Sequence, residues 1–115
     1  RADAVSQAEI YRQSFAISVC TADDIPSPTV VGAQAANELL NIKGVKASFV
    51  LTDYQGKIYV SARSIDEVNV QIIMERLGGG GHMSIAACQM EGTSLAEAIG
   101  TLKDTIDIML EEGDI

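Results

Sequence analysis

The sequence predicts an α/β fold, a mixed β-sheet with helices packed on it. Its segments follow one another in the order β, α, β, β, α, β, α, and this order favours one sheet covered by helices. Two neighbouring β-rich segments are joined by a short turn that contains a glycine, which predicts a hairpin. The 115 residues, 47% of them hydrophobic, suffice for one domain with one modest core.

A helical lead-in is predicted to precede the first strand of the domain. Val5, Ala8 and Tyr11 lie on one helical stripe, which predicts a short helix over residues 3–11. Residues 15–20 then change to the alternation that is typical of a strand. We therefore expect the helix to end a linker and the sheet to begin after it.

The second helix is predicted from its start signal. After the turn-rich residues 21–28, Ser27 is a good N-cap and Pro28 suits the first helical position. Gly44 marks the end of the segment. The expected apolar face consists of Val31, Ala35, Ala36, Leu39 and Leu40.

A β-hairpin occupies the middle of the chain. Residues 45–53 and 57–63 are rich in β-formers and meet across Tyr54, Gln55 and Gly56, where the glycine supplies a positive φ. Side chains alternate along a strand, so those of the second strand divide into two sets. One set is Ile58, Val60 and Ala62, and the less apolar set is Tyr59, Ser61 and Arg63.

The second half of the chain contains two capping-box patterns. Residues 64–67 have the spacing of a box and predict a helix whose buried stripe ends at the glycines. Residues 85–90 predict a short buried strand. Ser94 and Glu97 form the second box and open the last helix. The two apolar stripes are Val70, Ile73, Met74 and Leu77, then Leu95, Ile99, Leu102, Ile106 and Met109.

Composition argues against several classes of protein. Sixteen acidic and eight basic residues give a net charge of −8, which disfavours binding to duplex DNA. No apolar run approaches the length of a membrane span, so we expect no membrane contact by these residues. Cys20 and Cys88 form no CxxC pair and have apolar neighbours, so we expect buried thiols in a reducing compartment.

The most informative motif is a run of four glycines followed by the only histidine. Gly78, Gly79, Gly80 and Gly81 precede His82, and each ordered glycine costs about 0.5–1 kcal/mol relative to alanine. Backbone without side chains can approach a phosphate closely and can turn several N–H groups inward as an anion nest. A hinge or a tight packing corner is the structural alternative, and the glycines alone leave both open.

Other polar residues are candidates for the same site. His82 can donate to a phosphoryl oxygen. Arg63, at a strand end, can bind phosphate bidentately, and Ser61 and Ser64 can add hydroxyl donors. Asn69 and Gln71 are weaker candidates for reading a base, and an ordinary polar helix face explains them better. No second histidine or suitably spaced carboxylate supports a metal site around His82.

These residues resemble a known family. The match consists of Ser61-Ala62-Arg63-Ser64, the run from Asn69 to His82, the pair Ala86-Ala87, and Gln89. It is similar to the C-terminal DHH-associated domain of the DHH phosphoesterases. The four-glycine form, with Asn-Val-Gln before it and Gln89 after the alanines, most resembles the cyclic-di-AMP phosphodiesterase branch of the GdpP type.

The resemblance implies a substrate-binding domain of a larger enzyme. Residues 1–12 are then a linker helix from a preceding catalytic DHH domain, and residues 13–115 are the DHH-associated domain. The resemblance also implies that the preceding domain holds two Mn²⁺ ions, and the ligands for them are absent from this sequence. Gly79, Gly80, Gly81 and His82 match the family's phosphate-contacting loop, and Arg63 matches its phosphate-binding arginine.

The implied substrate is cyclic di-AMP, hydrolysed to the linear dinucleotide on the cytoplasmic side by a parent protein anchored in the membrane by upstream segments. Two alternatives remain at this point. One is a DHH enzyme acting on short oligonucleotides or on 3′-phosphoadenosine phosphate. The other is a non-catalytic nucleotide-binding module, or a dimerisation module that forms a homodimer.

Overall fold

The computed structural model describes residues 7–21, 28–65 and 67–115. The first half of the expected linker helix, the cap Ser27 and residue 66 of the first capping box lie outside the described residues. The strands are β1 Glu9–Tyr11, β2 Phe15–Thr21, β3 Ala47–Tyr54, β4 Lys57–Ser64, β5 Gly80–Gly81 and β6 Ile85–Glu91. The helices are α1 Pro28–Leu39, α2 Val70–Arg76 and α3 Leu95–Glu112.

The strands form one mixed sheet in the order β1-β2-β3-β4-β6-β5. Only β2 and β3 pair in parallel among the described strands, and α1 makes the crossover that parallel neighbours need. The other neighbouring pairs are antiparallel. The predicted α/β fold with a mixed sheet is therefore confirmed.

Helices cover the two faces of the sheet unequally. On one face, α2 and α3 pack over the larger core, which includes Phe49, Leu51 and Ile106. On the other face, α1 packs mainly on β2, β3 and β4 through Ala35, Ala36 and Leu39. The side chains of β6 on this second face are exposed, so the described residues leave the sheet open there.

The central hairpin is confirmed, with a turn of two residues. Tyr54 pairs with Lys57, which leaves Gln55 and Gly56 between the strands at φ values of 52° and 81°. Two consecutive positive φ angles are what a type I′ hairpin turn requires. The predicted division of β4 is also confirmed, since Ile58, Val60 and Ala62 are buried in the larger core.

The prediction of a helix over residues 3–11 is wrong for those of its residues that the structure describes. Glu9–Tyr11 is instead an edge strand that pairs antiparallel with β2. The hydroxyl of Tyr11 donates to the two carboxylate oxygens of Asp107 on α3, at 2.8 and 2.9 Å. Asp107 is distant in the sequence, so the local helical stripe could not reveal this partner. The domain division at residue 12 stays a prediction.

The prediction of a capping box at residues 64–67 is also wrong. Ser64 is the last residue of β4, where it pairs with Ala47, and its hydroxyl donates to the carbonyl oxygen of Met83 at 3.3 Å. Helix α2 begins later, and Asn69 caps it by accepting from the N–H groups of Gln71 and Ile72. Cross-strand pairing therefore extends β4 to Ser64, the residue predicted to begin the capping box.

We expect the substitution Asn69→Ala to lower the free energy of unfolding by about 1 kcal/mol, because two N–H groups of α2 lose their acceptor. Asn69→Asp keeps an acceptor at the cap and serves as the control. Urea denaturation of the two variants measures the difference. Equal stability of Asn69→Ala and the wild type would contradict the capping role.

The last strand and helix agree with the sequence in part. β6 is a strand, as predicted, but the burial of its side chains alternates. Ala86 and Cys88 are buried, whereas Ile85 is 52% exposed. The prediction of a buried strand is therefore wrong for one face. The capping box of α3 is confirmed, with both hydrogen bonds between Ser94 and Glu97 present. Among the helices of the described residues, none has the length and apolar content that crossing a bilayer requires.

Candidate functional site

The four glycines form a helix end followed by a short edge strand. Gly78, at a φ of 89°, follows the last residue of α2 and its C-cap. Gly80 and Gly81 then pair with Ala87 and Ala86 of β6. The N–H of His82 donates to the carbonyl oxygen of Ile85 at 2.6 Å and closes this glycine hairpin, which comprises residues 78–87.

Two of the glycines are required by close packing against β6. A Cβ atom at Gly79 would lie 2.1 Å from the carbonyl oxygen of Ala87, and one at Gly81 would lie 2.5 Å from that of Ile85. A Cβ atom at Gly80 would meet no atom within 4 Å. The packing alternative therefore explains Gly79 and Gly81, whereas the space beside Gly80 is open.

Most backbone N–H groups between Gly78 and His82 do not form the expected anion nest, because carbonyl oxygens of the protein accept from them. The N–H groups of Gly78, Gly79 and His82 donate to the carbonyl oxygens of Glu75, Met74 and Ile85. Hydrogen-bonded and non-bonded pairs alternate along an antiparallel ladder, so the bond at His82 directs the N–H of Gly81 away from β6. Because β5 is the last strand of the sheet, this N–H lies at an open edge.

The structure brings most of the predicted site residues into one cavity beside the hairpin. This Arg63 cavity has a volume of about 370 Å³. Its lining comprises Ser61, Arg63, Gly80, Gly81 and His82, together with Ala33 of α1 and Ile85, Ala86 and Ala87 of β6. Ser64 is outside the cavity, because consecutive strand residues face opposite ways and its hydroxyl bonds to Met83.

Arg63 gives this cavity a positive charge. Burial of its guanidinium lowers its pKa, although an arginine stays charged at neutral pH. Nη1 donates to the carbonyl oxygen of Ala62 at 2.8 Å, which holds the side chain. Within the described ranges Arg63 has no carboxylate partner, whereas Arg12 pairs with Asp107 and Arg76 with two acids. A partly desolvated cation without a counter-ion favours binding of an anion.

A second cavity adjoins the first and was not foreseen from the sequence. This Tyr59 cavity has a volume of about 600 Å³. Its lining comprises Tyr59, Val60, Ser61, Gly78, Gly79, Ala87, Cys88, Gln89 and Glu91. Ser61 and Ala87, which are cross-strand partners, line both cavities. The alternation of β4 was a usable signal for Tyr59, but only the register with β6 places Gln89 opposite it.

The two amides considered for base reading have structural partners. Asn69 caps α2, and Gln71 donates to the carboxylate of Glu75 at 3.2 Å on the exposed helix face. Neither residue lines the Arg63 cavity or the Tyr59 cavity. The bond to Glu75 agrees with an ordinary polar helix face for Gln71.

Cysteine and metal chemistry have little support in the part of the chain that is described. Cys20 and Cys88 are both buried, as expected, and burial raises the pKa of Cys88 to about 11. A thiol with that pKa stays protonated at neutral pH, and metals bind the thiolate. No three of the described His, Cys, Asp and Glu residues are grouped so that they could hold a metal ion.

The fold and the site define a class: an α/β domain with a cavity, lined by Arg63 and His82, between its sheet and a glycine hairpin at the edge. The chain belongs to the DHHA1 domain family, whose model matches residues 13–111. The resemblance drawn from the glycine-histidine segment is therefore confirmed at the level of the family.

Two relatives show that the chain resembles the cyclic-di-AMP phosphodiesterase branch of this family. The chain is 45% identical over 108 residues to the cyclic-di-AMP phosphodiesterase PdeA of Listeria monocytogenes, covering 93% of this chain and 16% of the relative. It is 42% identical over 115 residues to the cyclic-di-AMP phosphodiesterase GdpP of Bacillus subtilis, covering 98% and 18%. The chain thus spans less than a fifth of the length of either relative, and the likeness to this branch is confirmed.

A solved structure supports the fold. An exopolyphosphatase-related protein from Bacteroides fragilis superposes with a TM-score of 0.82 at 19% identity. The match covers 94% of this chain and 33% of that chain. At this identity the likeness concerns the fold alone, and it agrees with the mixed sheet described above.

Proposed function

We propose that this chain is the substrate-binding domain of a metal-dependent cyclic-di-AMP phosphodiesterase and that the Arg63 cavity binds a phosphate of the substrate. The observation that carries the proposal is the guanidinium of Arg63, which has no carboxylate partner among the described residues and faces the glycine hairpin across one cavity. In a chain with a net charge of −8, such a locally positive cavity attracts an anion.

Each residue of the cavity has a role in this proposal. The guanidinium of Arg63 donates two parallel hydrogen bonds to phosphoryl oxygens, and the exposed imidazole of His82 donates another. The hydroxyl of Ser61 adds a donor at the boundary with the second cavity. Gly80 contributes open space, so the phosphate can approach the backbone. The N–H of Gly81 is available at the sheet edge, because the bond at His82 directs it away from β6.

Ser64 acts indirectly. Its hydroxyl and its N–H bond to the carbonyl oxygens of Met83 and Ser84, which form the turn after His82. The N–H of Val70 also donates to Met83, at 2.9 Å. Ser64 therefore supports the hairpin that presents His82, and it does not contact the phosphate.

The bond cleavage requires groups beyond these residues. Two Mn²⁺ ions in a DHH domain of the same polypeptide would supply the activated water that attacks the phosphodiester. The present residues bind and orient the phosphate for that attack and help to exclude bulk water. The names of the relatives from Listeria and Bacillus, both cyclic-di-AMP phosphodiesterases, support this choice of substrate. We place the catalytic site on the cytoplasmic side, in a parent protein anchored in the membrane.

Hydrolysis by the full-length natural protein tests the proposal. With Mn²⁺ present, we expect it to convert cyclic di-AMP to the linear dinucleotide with a higher kcat/KM than it shows for linear dinucleotides or 3′-phosphoadenosine phosphate. The substitution His82→Ala should lower kcat/KM by roughly tenfold, because one hydrogen bond to a charged group is lost.

The outcomes separate the alternatives. Faster turnover of linear dinucleotides or of 3′-phosphoadenosine phosphate would favour the other DHH enzymes. Nucleotide binding without turnover of any of these compounds would favour a non-catalytic module. Unchanged kinetics in His82→Ala would remove this residue from the site.

A further inference from the structure

The Tyr59 cavity has no role in the phosphate site, although it shares a wall with it. We infer that this cavity is an adenine-binding subsite in which Tyr59 stacks on the base and Gln89 reads its edge. The inference rests on the proposed function, because it takes the nucleotide phosphate to occupy the Arg63 cavity. It adds the base specificity, which the phosphate site cannot provide.

The geometry of the sheet supports this assignment. Tyr59 and Gln89 are direct cross-strand partners on β4 and β6, so their side chains rise from the open face of the sheet side by side. Two residues further along each strand, Ser61 and Ala87 separate this cavity from the Arg63 cavity. A nucleotide with its phosphate beside Arg63 therefore has room for its base beside Tyr59.

Charge distinguishes the two cavities. Arg63 and His82 line the smaller one, whose lining contains no acidic residue among the described side chains. The carboxylate of Glu91 lines the larger one, and its 3.6 Å ion pair with Lys57 is exposed on both sides. A carboxylate repels phosphate but tolerates a neutral base, so the phosphate belongs in the smaller cavity and the base in the larger.

The side chains match adenine chemically. A phenol ring offers a flat surface for stacking, which contributes to the binding of any base. Tyr59 is half-buried and tilted against Tyr54 with ring centroids 6.4 Å apart, and this contact helps to fix its position. An amide can accept from the N6 amino group of adenine and donate to N7 at the same time, and guanine offers two acceptors there instead. Gln89 is exposed in the cavity and supplies this pair of groups.

The two residues should affect different kinetic quantities in the full-length protein with Mn²⁺. We expect Gln89→Ala to reduce the preference in kcat/KM for cyclic di-AMP over cyclic di-GMP by about tenfold. We expect Tyr59→Leu to raise KM for both substrates by about tenfold and to leave the preference unchanged, because stacking does not distinguish bases. Tyr59→Phe keeps the ring, so we expect its KM to rise less than that of Tyr59→Leu.

A matched control and a binding assay complete the test. Gln71→Ala removes an exposed amide that lies outside both cavities, so it should keep the wild-type preference. Titration with AMP and GMP requires no turnover: AMP should bind more tightly to the wild type, and Gln89→Ala should lose this difference.

The results distinguish the two levels of the proposal. If the wild type fails to hydrolyse cyclic di-AMP but binds AMP in a Gln89-dependent way, the proposed reaction is wrong and the adenine subsite stands. If the wild type hydrolyses cyclic di-AMP and Gln89→Ala keeps the base preference in both assays, the subsite is wrong and the reaction stands. An unchanged KM in Tyr59→Leu would likewise overturn the stacking role.

Discussion

Replacing Gly79 by alanine should lower the free energy of unfolding by about 3 kcal/mol, at the upper end of what overpacking costs. The new Cβ would lie 2.1 Å from the carbonyl oxygen of Ala87 and 2.5 Å from the Cβ of Cys88. These contacts involve backbone of a paired strand, which cannot move without breaking the β4–β6 ladder. Denaturation by urea, followed by circular dichroism, measures the effect.

Gly80→Ala is the matched control within the same run. A Cβ at Gly80 meets nothing within 4 Å, and its φ is not in the left-handed region, so the stability should change by less than about 1 kcal/mol. Gly80 nevertheless lines the Arg63 cavity, so we expect the added methyl group to weaken substrate binding. Equal loss of stability in both variants would contradict the packing explanation for Gly79.

Replacing Arg63 by alanine should reduce kcat/KM for cyclic di-AMP by about 100-fold in the full-length protein, because charge-assisted hydrogen bonds to the phosphate are lost. Arg63→Lys keeps the charge without the bidentate geometry and should recover part of the activity. The fold should tolerate the change, since among the described residues Arg63 makes no ion pair and its Nη1 donates to the adjacent carbonyl group of Ala62.

Arg76→Ala provides the control for the loss of an arginine. Arg76 is exposed, lies outside both cavities and pairs with Glu112 and Asp114 at 2.7 and 3.0 Å. We expect its kinetics to match the wild type, since exposed ion pairs contribute little. Steady-state kinetics on the three variants test the assignment. Arg63→Ala with the kinetics of Arg76→Ala would remove Arg63 from the phosphate site.

Together, these two predictions separate a role in folding from a role in binding. Gly79 and Gly81 lack side chains because β6 passes too close, and this requirement exists with or without a ligand. Gly80 and Arg63 have no comparable packing constraint and face the cavity. The glycine run therefore contains positions of two kinds, which a count of glycines in the sequence does not distinguish.

Short-range patterns predicted the elements that local physics determines. Alternation predicted β2, richness in β-forming residues predicted β3 and β4, and the Ser94 box predicted the start of α3, because each signal lies in neighbouring residues. The errors occur where no local signal marks the partner. Glu9–Tyr11 pairs with the nearby β2, but the positive φ angles of the turn fall on Arg12 and Gln13 and not on a glycine. Tyr11 also bonds to the distant Asp107, and pairing with Ala47 keeps Ser64 in β4.

The sequence by itself determined the fold class, the family and the residues Arg63, Gly80, Gly81 and His82 as members of one cavity. Only the tertiary structure decided that Gly79 and Gly81 serve packing, that Ser64 lies outside the cavity and that Tyr59 stands beside Gln89. The physical reason is register: side chains of different strands become neighbours through hydrogen bonds between distant segments, and no local pattern encodes which residues will face each other.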